Sequence, residues 1–147
     1  MPNDSSVEAA YLNAYAIERC FDNAFSNETD RTVEVPAGKT YFIGPVTVKD
    51  ISNVTFLVQG TIAAIDDVYS WSYDSSFKNV FDFNNCSDLT FTGKGEIDGQ
   101  GFVWWWHTIL VTIHKGRPHL VYMEKTRNVV IEDIHFKNSP MFHLNLR

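Results

Sequence analysis

The front of the chain carries an apolar stripe at helical spacing. Apolar residues recur at three- and four-residue steps between positions 7 and 24, which is the period of an amphipathic helix. Ser5 and Glu8 stand just before this stripe in the S-x-x-E arrangement of a capping box. The pattern predicts one helix over 6–25, with Cys20 on its apolar face as a buried free thiol.

Beyond the helix, short β-branched and aromatic runs replace the helical period, and proline and glycine punctuate them. Segments 46–56, 81–91 and 121–131 align with apolar residues at both ends, and a further copy begins at Phe142. Repeats at such periods indicate a solenoid. Each unit has the pattern strand, turn, strand, so the alignment predicts a β-solenoid with Val46, Phe81 and Val121 on neighbouring rungs.

One column of the alignment holds Asn53, Asp88 and Asn128. Tight turns between strands favour residues that tolerate the left-handed region, and Asn and Asp do so. Stacked amide side chains can also hydrogen-bond from one rung to the next. The column therefore predicts a structural turn at the same place in each coil.

Two segments, 65–78 and 102–117, lengthen the coils and are predicted to be loops. Loops inserted at matching points of a solenoid project from one side, often the binding side. Asp66 and Asp67 fall in the first of them and are interpreted as solvated loop residues, because neighbours in a strand point to opposite faces. The helix is predicted to cover the first coil and to block its open strand edge.

Composition narrows the class of protein. With 147 residues, 44% of them apolar, the chain is long enough for one folded domain. The net charge of −6 and the absence of a basic stripe exclude nucleic acid as a partner. No apolar run approaches the roughly 20 residues of a membrane helix, and no cofactor motif occurs, so no membrane partner and no cofactor are expected.

Some features of the sequence favour a secreted protein and others do not. The polar start predicts no signal peptide, which fits a cytosolic protein or a secreted one whose front is missing. Four N-x-S/T sequons, at Asn3, Asn27, Asn53 and Asn85, give weak support for secretion. Two cysteines define no disulfide framework, so the pairing of Cys20 and Cys86 stays open.

Three short motifs follow one another in the second half of the chain, and their order is informative. Segment 95–106 is G-E-I-D-G-Q-G-F-V-W-W-W, segment 117–120 is R-P-H-L, and segment 138–143 is N-S-P-M-F-H. Their order and spacing resemble the family 28 glycoside hydrolases, the polygalacturonases and their relatives. The resemblance covers nearly the whole chain but only the front part of such an enzyme.

The resemblance implies a right-handed parallel β-helix of the pectin lyase type: a single incomplete domain over 1–147, with a capping helix at 6–25 and coils over 32–147. It implies a secreted cell-wall hydrolase that cleaves α-1,4-galacturonosyl bonds of pectic polysaccharide with inversion, using aspartates as acid and base. The family's Asn-Thr-Asp, Asp-Asp, Gly-His-Gly and Arg-Ile-Lys segments follow the N-S-P motif and match no position here. No catalytic residue carries over, and the chain is interpreted as an inactive fragment.

Two residues are candidates for substrate binding. Phe142 and Leu144 are predicted to point inward, so His143 would point outward beside a cleft, either to bind substrate or as an ordinary surface residue. Trp105 would stack on a sugar ring, although one or two of the three tryptophans could instead pin the loop to the coil. The five histidines form no metal-binding pattern, so no metal site is predicted.

Three hypotheses follow for the function. The chain is part of a polygalacturonase-type hydrolase, or a non-catalytic carbohydrate-binding β-helix, or a structural module that pairs through the open edge of its last coil. Cleavage of polygalacturonate, binding without cleavage, and dimerisation without sugar affinity distinguish the three.

Overall fold

The structure is a computed structural model that describes residues 5–71, 78–110, 112 and 116–147. The Asn3 sequon, His114 and parts of both inserted segments lie outside these residues.

The chain begins with the predicted helix, α1 (Val7–Ser26). Its N-cap is Ser6, whose hydroxyl accepts a hydrogen bond from the Ala9 amide at 3.2 Å. The expected capping box of Ser5 and Glu8 is therefore wrong by one residue, because Ala9 and not Glu8 occupies the third helical position. Cys20 is exposed, which contradicts its predicted burial: the helix face that packs on the coils is too narrow to include it.

Short parallel strands make up most of the remaining described chain. They are β1 (Thr32–Val35), β2 (Thr40–Ile43), β3 (Val46–Lys49), β4 (Ser52–Val58), β5 (Thr61–Ala64), β6 (Phe81–Asn84), β7 (Ser87–Thr92), β8 (Glu96–Asp98), β9 (Val121–Glu124), β10 (Arg127–Ile131), β11 (His135–Lys137) and β12 (Leu144–Leu146). Every third strand joins the same sheet, so each coil adds one strand to each of three sheets. Sheet 1 is β1-β4-β7-β10, sheet 2 is β2-β5-β8-β11 and sheet 3 is β3-β6-β9-β12. The fold is a parallel β-helix, as predicted.

The register confirms the predicted rungs. Val46 pairs with Phe81, and Phe81 pairs with Val121. The last copy is displaced from the prediction, since Leu144 and not Phe142 pairs with Val121. Leu144 keeps an inward register position, but the predicted inward position of Phe142 is wrong, since Phe142 is 56% exposed and its ring stacks on that of His119. However, Leu144 and Leu146 are 40% and 67% exposed because no described strand lies above them.

The turn between sheet 3 and sheet 1 is built as the alignment predicts. Asn53, Asp88 and Asn128 have φ values of 56°, 54° and 54°, and the Asn128 amide donates to the Asp88 carboxylate at 3.0 Å. A second column, which the sequence analysis missed, begins at Asp50, where the Asn85 amide donates to its carboxylate at 2.7 Å. Polar ladders therefore line this corner of the coil.

Phenylalanines fill the space between the sheets and the helix. Phe21 from α1 lies edge-on to Phe56 and Phe83, with ring centroids 5.1 and 5.6 Å apart. Phe91 meets both Phe56 and Phe83, and Phe81 stacks beside Phe83. All five are buried, and burial of such rings supplies most of the hydrophobic stabilisation.

The helix covers the first coil in the predicted way. The Asn13 amide donates to the Phe42 carbonyl, and the Glu18 carboxylate accepts from the Thr47 amide at 2.7 Å. Thr47 lies on β3, the edge strand of sheet 3, so the Glu18 carboxylate satisfies a backbone group that would otherwise attract another strand.

Candidate functional site

The outer face of sheet 3 forms the larger of the two described grooves, with a volume of about 840 Å³. Side chains alternate along its strands, so the apolar residues point inward and the intervening ones point outward. The register places the outward side chains in two rows: Thr47, Asp82, Tyr122 and Asn145, and then Lys49, Asn84 and Glu124. Arg147 continues the second row, since its amide donates to the Met123 carbonyl. Glu18, Lys78, Asn79 and His119 complete the lining.

Both inserted segments connect sheet 2 to sheet 3, and Lys78, at the end of the first, lines the groove. In the first, the Asp67 carboxylate accepts hydrogen bonds from Ser70 and Tyr69, which closes a turn and lowers the pKa of Asp67. Asp66 is exposed. The pair therefore lies in a loop, as predicted.

The second segment is partly helical, contrary to the predicted loop. Helix α2 (Gly101–Ile109) begins without a side-chain cap. Trp104 is buried and meets Trp71 of the first segment edge-on, with ring centroids 5.7 Å apart. The two insertions therefore pack against each other through tryptophans, which confirms that part of the tryptophan triplet anchors the segment to the body.

A chain of hydrogen bonds joins the ends of both insertions to the groove. The Asp82 carboxylate accepts from the backbone and side-chain nitrogens of Asn79 at 2.9 and 2.7 Å. The Asn79 side-chain oxygen accepts from the His119 amide at 2.9 Å. Burial raises the pKa of Asp82, an effect that outweighs the hydrogen bonds from Asn79. Since both carboxylate oxygens are engaged, Asp82 holds the groove wall together.

Two aromatic rings lie near the ring of His119 and nearly parallel to it. They belong to Phe142 and Tyr122, with interplanar angles of 6° and 14°. The Nε2 atom of His119 lies 2.9 Å from the Asn145 amide nitrogen, so neutral His119 accepts there when its proton is on Nδ1. Burial lowers the pKa of His119, and Arg147 lowers it further against the opposing effect of Asp82. Neutral His119 thereby orients Asn145 in the groove.

This arrangement predicts a pH-dependent stability. Because the folded-state pKa of His119 lies below its ordinary value of 6.5, the unfolded chain binds the proton more readily as the pH falls. The free energy of unfolding of the wild type, relative to His119→Gln, should therefore decrease between about pH 7.5 and pH 5.5. Urea unfolding at several pH values measures this difference. His143→Gln, at an exposed residue of the same coil, is the control, and an equal pH trend in both variants would refute the role of His119.

The groove contains the cations that composition alone did not reveal. Lys49, Lys78 and Arg147 line it, together with the acidic Glu18, Asp82 and Glu124. The smaller groove, about 430 Å³, lies outside sheet 2. Lys39, Lys94, Glu96 and His135 are among the residues that line it, and Glu96 is paired with the Lys137 ammonium at 2.9 Å. The outer face of sheet 3 forms the larger of the two described grooves and combines its cations with amide side chains and the rings of His119 and Tyr122.

The two predicted binding residues lie away from the lining of this groove. His143 is exposed on the connection into β12, and its carbonyl accepts a hydrogen bond from the Val121 amide. The Trp105 indole donates to the carbonyls of Ser139 and Pro140, both at 3.2 Å, and its side chain is 38% exposed. Sugar contact by either residue stays a prediction.

The corner at Asp98 is a tight turn held by side-chain hydrogen bonds. The Asp98 carboxylate accepts from the Gln100 amide at 2.9 Å and from the Asn138 side chain at 3.1 Å. The residue in the left-handed region is Gln100, with φ 49°. The corner thus links the first and third sequence motifs structurally.

Within residues 5–71, 78–110, 112 and 116–147, no group of three or more His, Cys, Asp or Glu side chains could hold a metal ion. Neither length nor apolarity qualifies any described helix to span a membrane.

Comparison with known proteins agrees with this architecture. The chain is 33% identical over 134 residues to a polygalacturonase of Juniperus ashei and 29% identical over 130 residues to one of Chamaecyparis obtusa. Each match covers 83% of this chain, which spans about a quarter (25%) of each relative. The fold is similar to that of a hyperthermoactive exopolygalacturonase from Thermotoga maritima, with a TM-score of 0.67, 22% identity, and coverage of 86% of this chain and 38% of that one.

A whole family also matches the chain. The family described as "Glycosyl hydrolases family 28" matches residues 26–147, which include all twelve described strands and the three motifs. On this evidence the chain belongs to glycosyl hydrolases family 28.

Proposed function

We propose that this chain forms the first coils of a polygalacturonase-type hydrolase and binds pectic polysaccharide along the outer face of sheet 3. The observation that carries the proposal is the groove itself, which combines cations, amides and flat rings on adjacent rungs. The longer enzyme would hydrolyse α-1,4-galacturonosyl bonds outside the cell, in plant cell-wall material.

The groove supplies the contacts that an acidic sugar chain needs. A pyranose ring has an apolar face that packs on aromatic rings, and Tyr122 and His119 offer parallel ring faces. Each uronate carries a carboxylate, which Lys49, Lys78 and Arg147 can bind through charge-assisted hydrogen bonds. Asn84 and Asn145 can donate to and accept from sugar hydroxyls.

Catalysis needs further residues. Inverting glycosidases place a carboxylic acid and a carboxylate on opposite sides of the scissile bond, with room for a water. Asp66 and Asp67 lie in a surface turn, and Asp82 is held by Asn79. None of the family's Asn-Thr-Asp, Gly-His-Gly or Arg-Ile-Lys segments occurs in the 147 residues. We therefore expect this polypeptide to bind polygalacturonate without cleaving it.

Removing the aromatic platform tests the binding role. Tyr122→Ala should weaken binding of trigalacturonate about tenfold, equivalent to roughly 1.4 kcal/mol, because one stacking face is lost. Isothermal titration calorimetry measures the dissociation constant. A reducing-sugar assay on polygalacturonate should show no release by the wild-type chain.

Tyr15→Ala and Lys94→Ala are matched controls, since Tyr15 lies exposed on α1 and Lys94 lines the groove outside sheet 2. Both should bind like the wild type. Equal loss of affinity in Tyr122→Ala and Lys94→Ala would contradict the assignment of the groove.

The exposed side chains of β12 support a second candidate function for the 147-residue polypeptide, self-association. Leu144 and Leu146 face the interior direction yet are exposed, unlike their buried partners Val121 and Met123. The free edge of β12 presents backbone groups to another strand. Sedimentation analysis distinguishes the candidates: a concentration-dependent dimer without affinity for trigalacturonate would favour the assembly module over the sugar-binding one.

A further inference from the structure

We propose that Asn27 is an acceptor for an N-linked glycan when the chain passes through a eukaryotic secretory pathway. Asn27, Glu28 and Thr29 form an N-x-T sequon. They lie in the exposed connection between α1 and β1, outside all three sheets.

The atoms of this sequon are arranged for the modification. The Asn27 side-chain oxygen accepts hydrogen bonds from the Thr29 amide at 2.9 Å, the Thr29 hydroxyl at 3.0 Å and the Asp30 amide at 3.1 Å. Three donors on the oxygen orient the carboxamide and leave its nitrogen, the atom that receives the glycan, without a partner in the described residues. The required hydroxyl thus already contacts the acceptor carboxamide.

The other described sequons differ from Asn27 in their contacts. The Asn85 side-chain nitrogen donates to the Asp50 carboxylate at 2.7 Å, within the turn ladder. Asn53 lies in β4, which is paired on one side with β1 and on the other with β7. A glycan at either residue would attach to a corner of the stacked coils. Asn27 carries it on a surface turn and is not among the residues that line the groove of sheet 3.

The donor of the glycan is an oligosaccharide that is joined through its C1 atom to a lipid pyrophosphate. The bond between Asn27 Nδ2 and C1 forms while the bond between C1 and the phosphate oxygen breaks. The lipid pyrophosphate leaves with the electron pair, and the amide proton passes to a base of the membrane-bound transferase.

The experiment expresses the full chain, with Asn3→Gln as background, behind a cleavable signal peptide in yeast or insect cells. Secreted and cell-retained chains are both treated with a peptide N-glycosidase in heavy-oxygen water, so that each occupied asparagine becomes a labelled aspartate in peptide mass spectra. Asn27 should carry more label than Asn53 or Asn85. Thr29→Ala should abolish the label at Asn27, and Thr29→Ser should retain it.

Absence of label at Asn27 in both fractions would overturn the proposal, as would equal or higher occupancy at Asn53 or Asn85. Because occupancy is scored in retained as well as secreted chains, poor folding of a variant does not hide the result.

Discussion

Replacing Gly93 with alanine is expected to destabilise the chain by roughly 4 kcal/mol or more, the largest effect of any single substitution considered. Gly93 follows β7 with φ +124°, a conformation that residues with a side chain rarely adopt. An added Cβ would lie 2.0 Å from the Val58 carbonyl oxygen of the coil below. That neighbour is backbone within the ladder, so relief requires the two coils to separate. Urea unfolding followed by circular dichroism measures the loss.

Gly38→Ala is the matched control for this variant. Gly38 also has a positive φ, +71°, but an added Cβ meets no atom within 4 Å. Only the conformational penalty applies, which is about 1–2 kcal/mol. Equal destabilisation of the two variants would show that the contact between coils at Gly93 is not tight.

Phe56→Ala is expected to cost about 3–5 kcal/mol of unfolding free energy. Phe56 is 1% exposed and touches the rings of Phe21, Phe81 and Phe91, with centroid separations of 5.1, 5.8 and 5.9 Å. The substitution removes one ring from contacts that join α1 to sheets 1 and 3. It therefore weakens the attachment of the helix as well as the core, which denaturant unfolding by circular dichroism would measure.

A conservative variant and a control at an exposed site accompany Phe56→Ala. Phe56→Leu keeps most of the volume and should cost under about 1.5 kcal/mol, so it remains measurable if the alanine variant fails to fold. Phe102→Ala removes a ring that is 63% exposed on α2 and should cost less than about 1 kcal/mol. A Phe56→Ala loss no larger than that of Phe102→Ala would contradict the assigned core.

The coil architecture is predictable from sequence because its physical signals repeat. Apolar residues occupy every second position of these strands and point inward. To stay buried they must stack in register from coil to coil, as Val46, Phe81 and Val121 do. The Asn and Asp column marks the turn because those residues adopt left-handed φ at low cost. Repetition at three places therefore fixes both the strands and their register.

Features that occur once are harder to predict. Helix α2 lacks a capping side chain and contains three consecutive tryptophans, so neither start signal nor apolar period identifies it. The last copy has a different register because the connection through Ser139 and Pro140 holds two more residues than the alignment allows. Cys20 follows the helical period of Ile17 but lies beyond the face that meets the coils.

The groove could have been found from the same alignment. Its outward positions, Asp82 and Tyr122, fall between the apolar residues that reveal the repeat. The alternation of inward residues and the rare sequence motifs indicated His143 and Trp105 as binding residues instead. The contact between His119 and Asn145 joins residues on successive coils, and no local sequence pattern indicates it.

The central claim, that sugar binds on the outer face of sheet 3, is tested most directly by nuclear magnetic resonance. Isotope-labelled chain is titrated with trigalacturonate while its amide and side-chain signals are followed. We expect shifts at Asp82, Tyr122 and Asn145, and none at Thr61 or Glu96 on the outer face of sheet 2. Shifts confined to sheet 2, or no shifts at millimolar sugar, would contradict the claim.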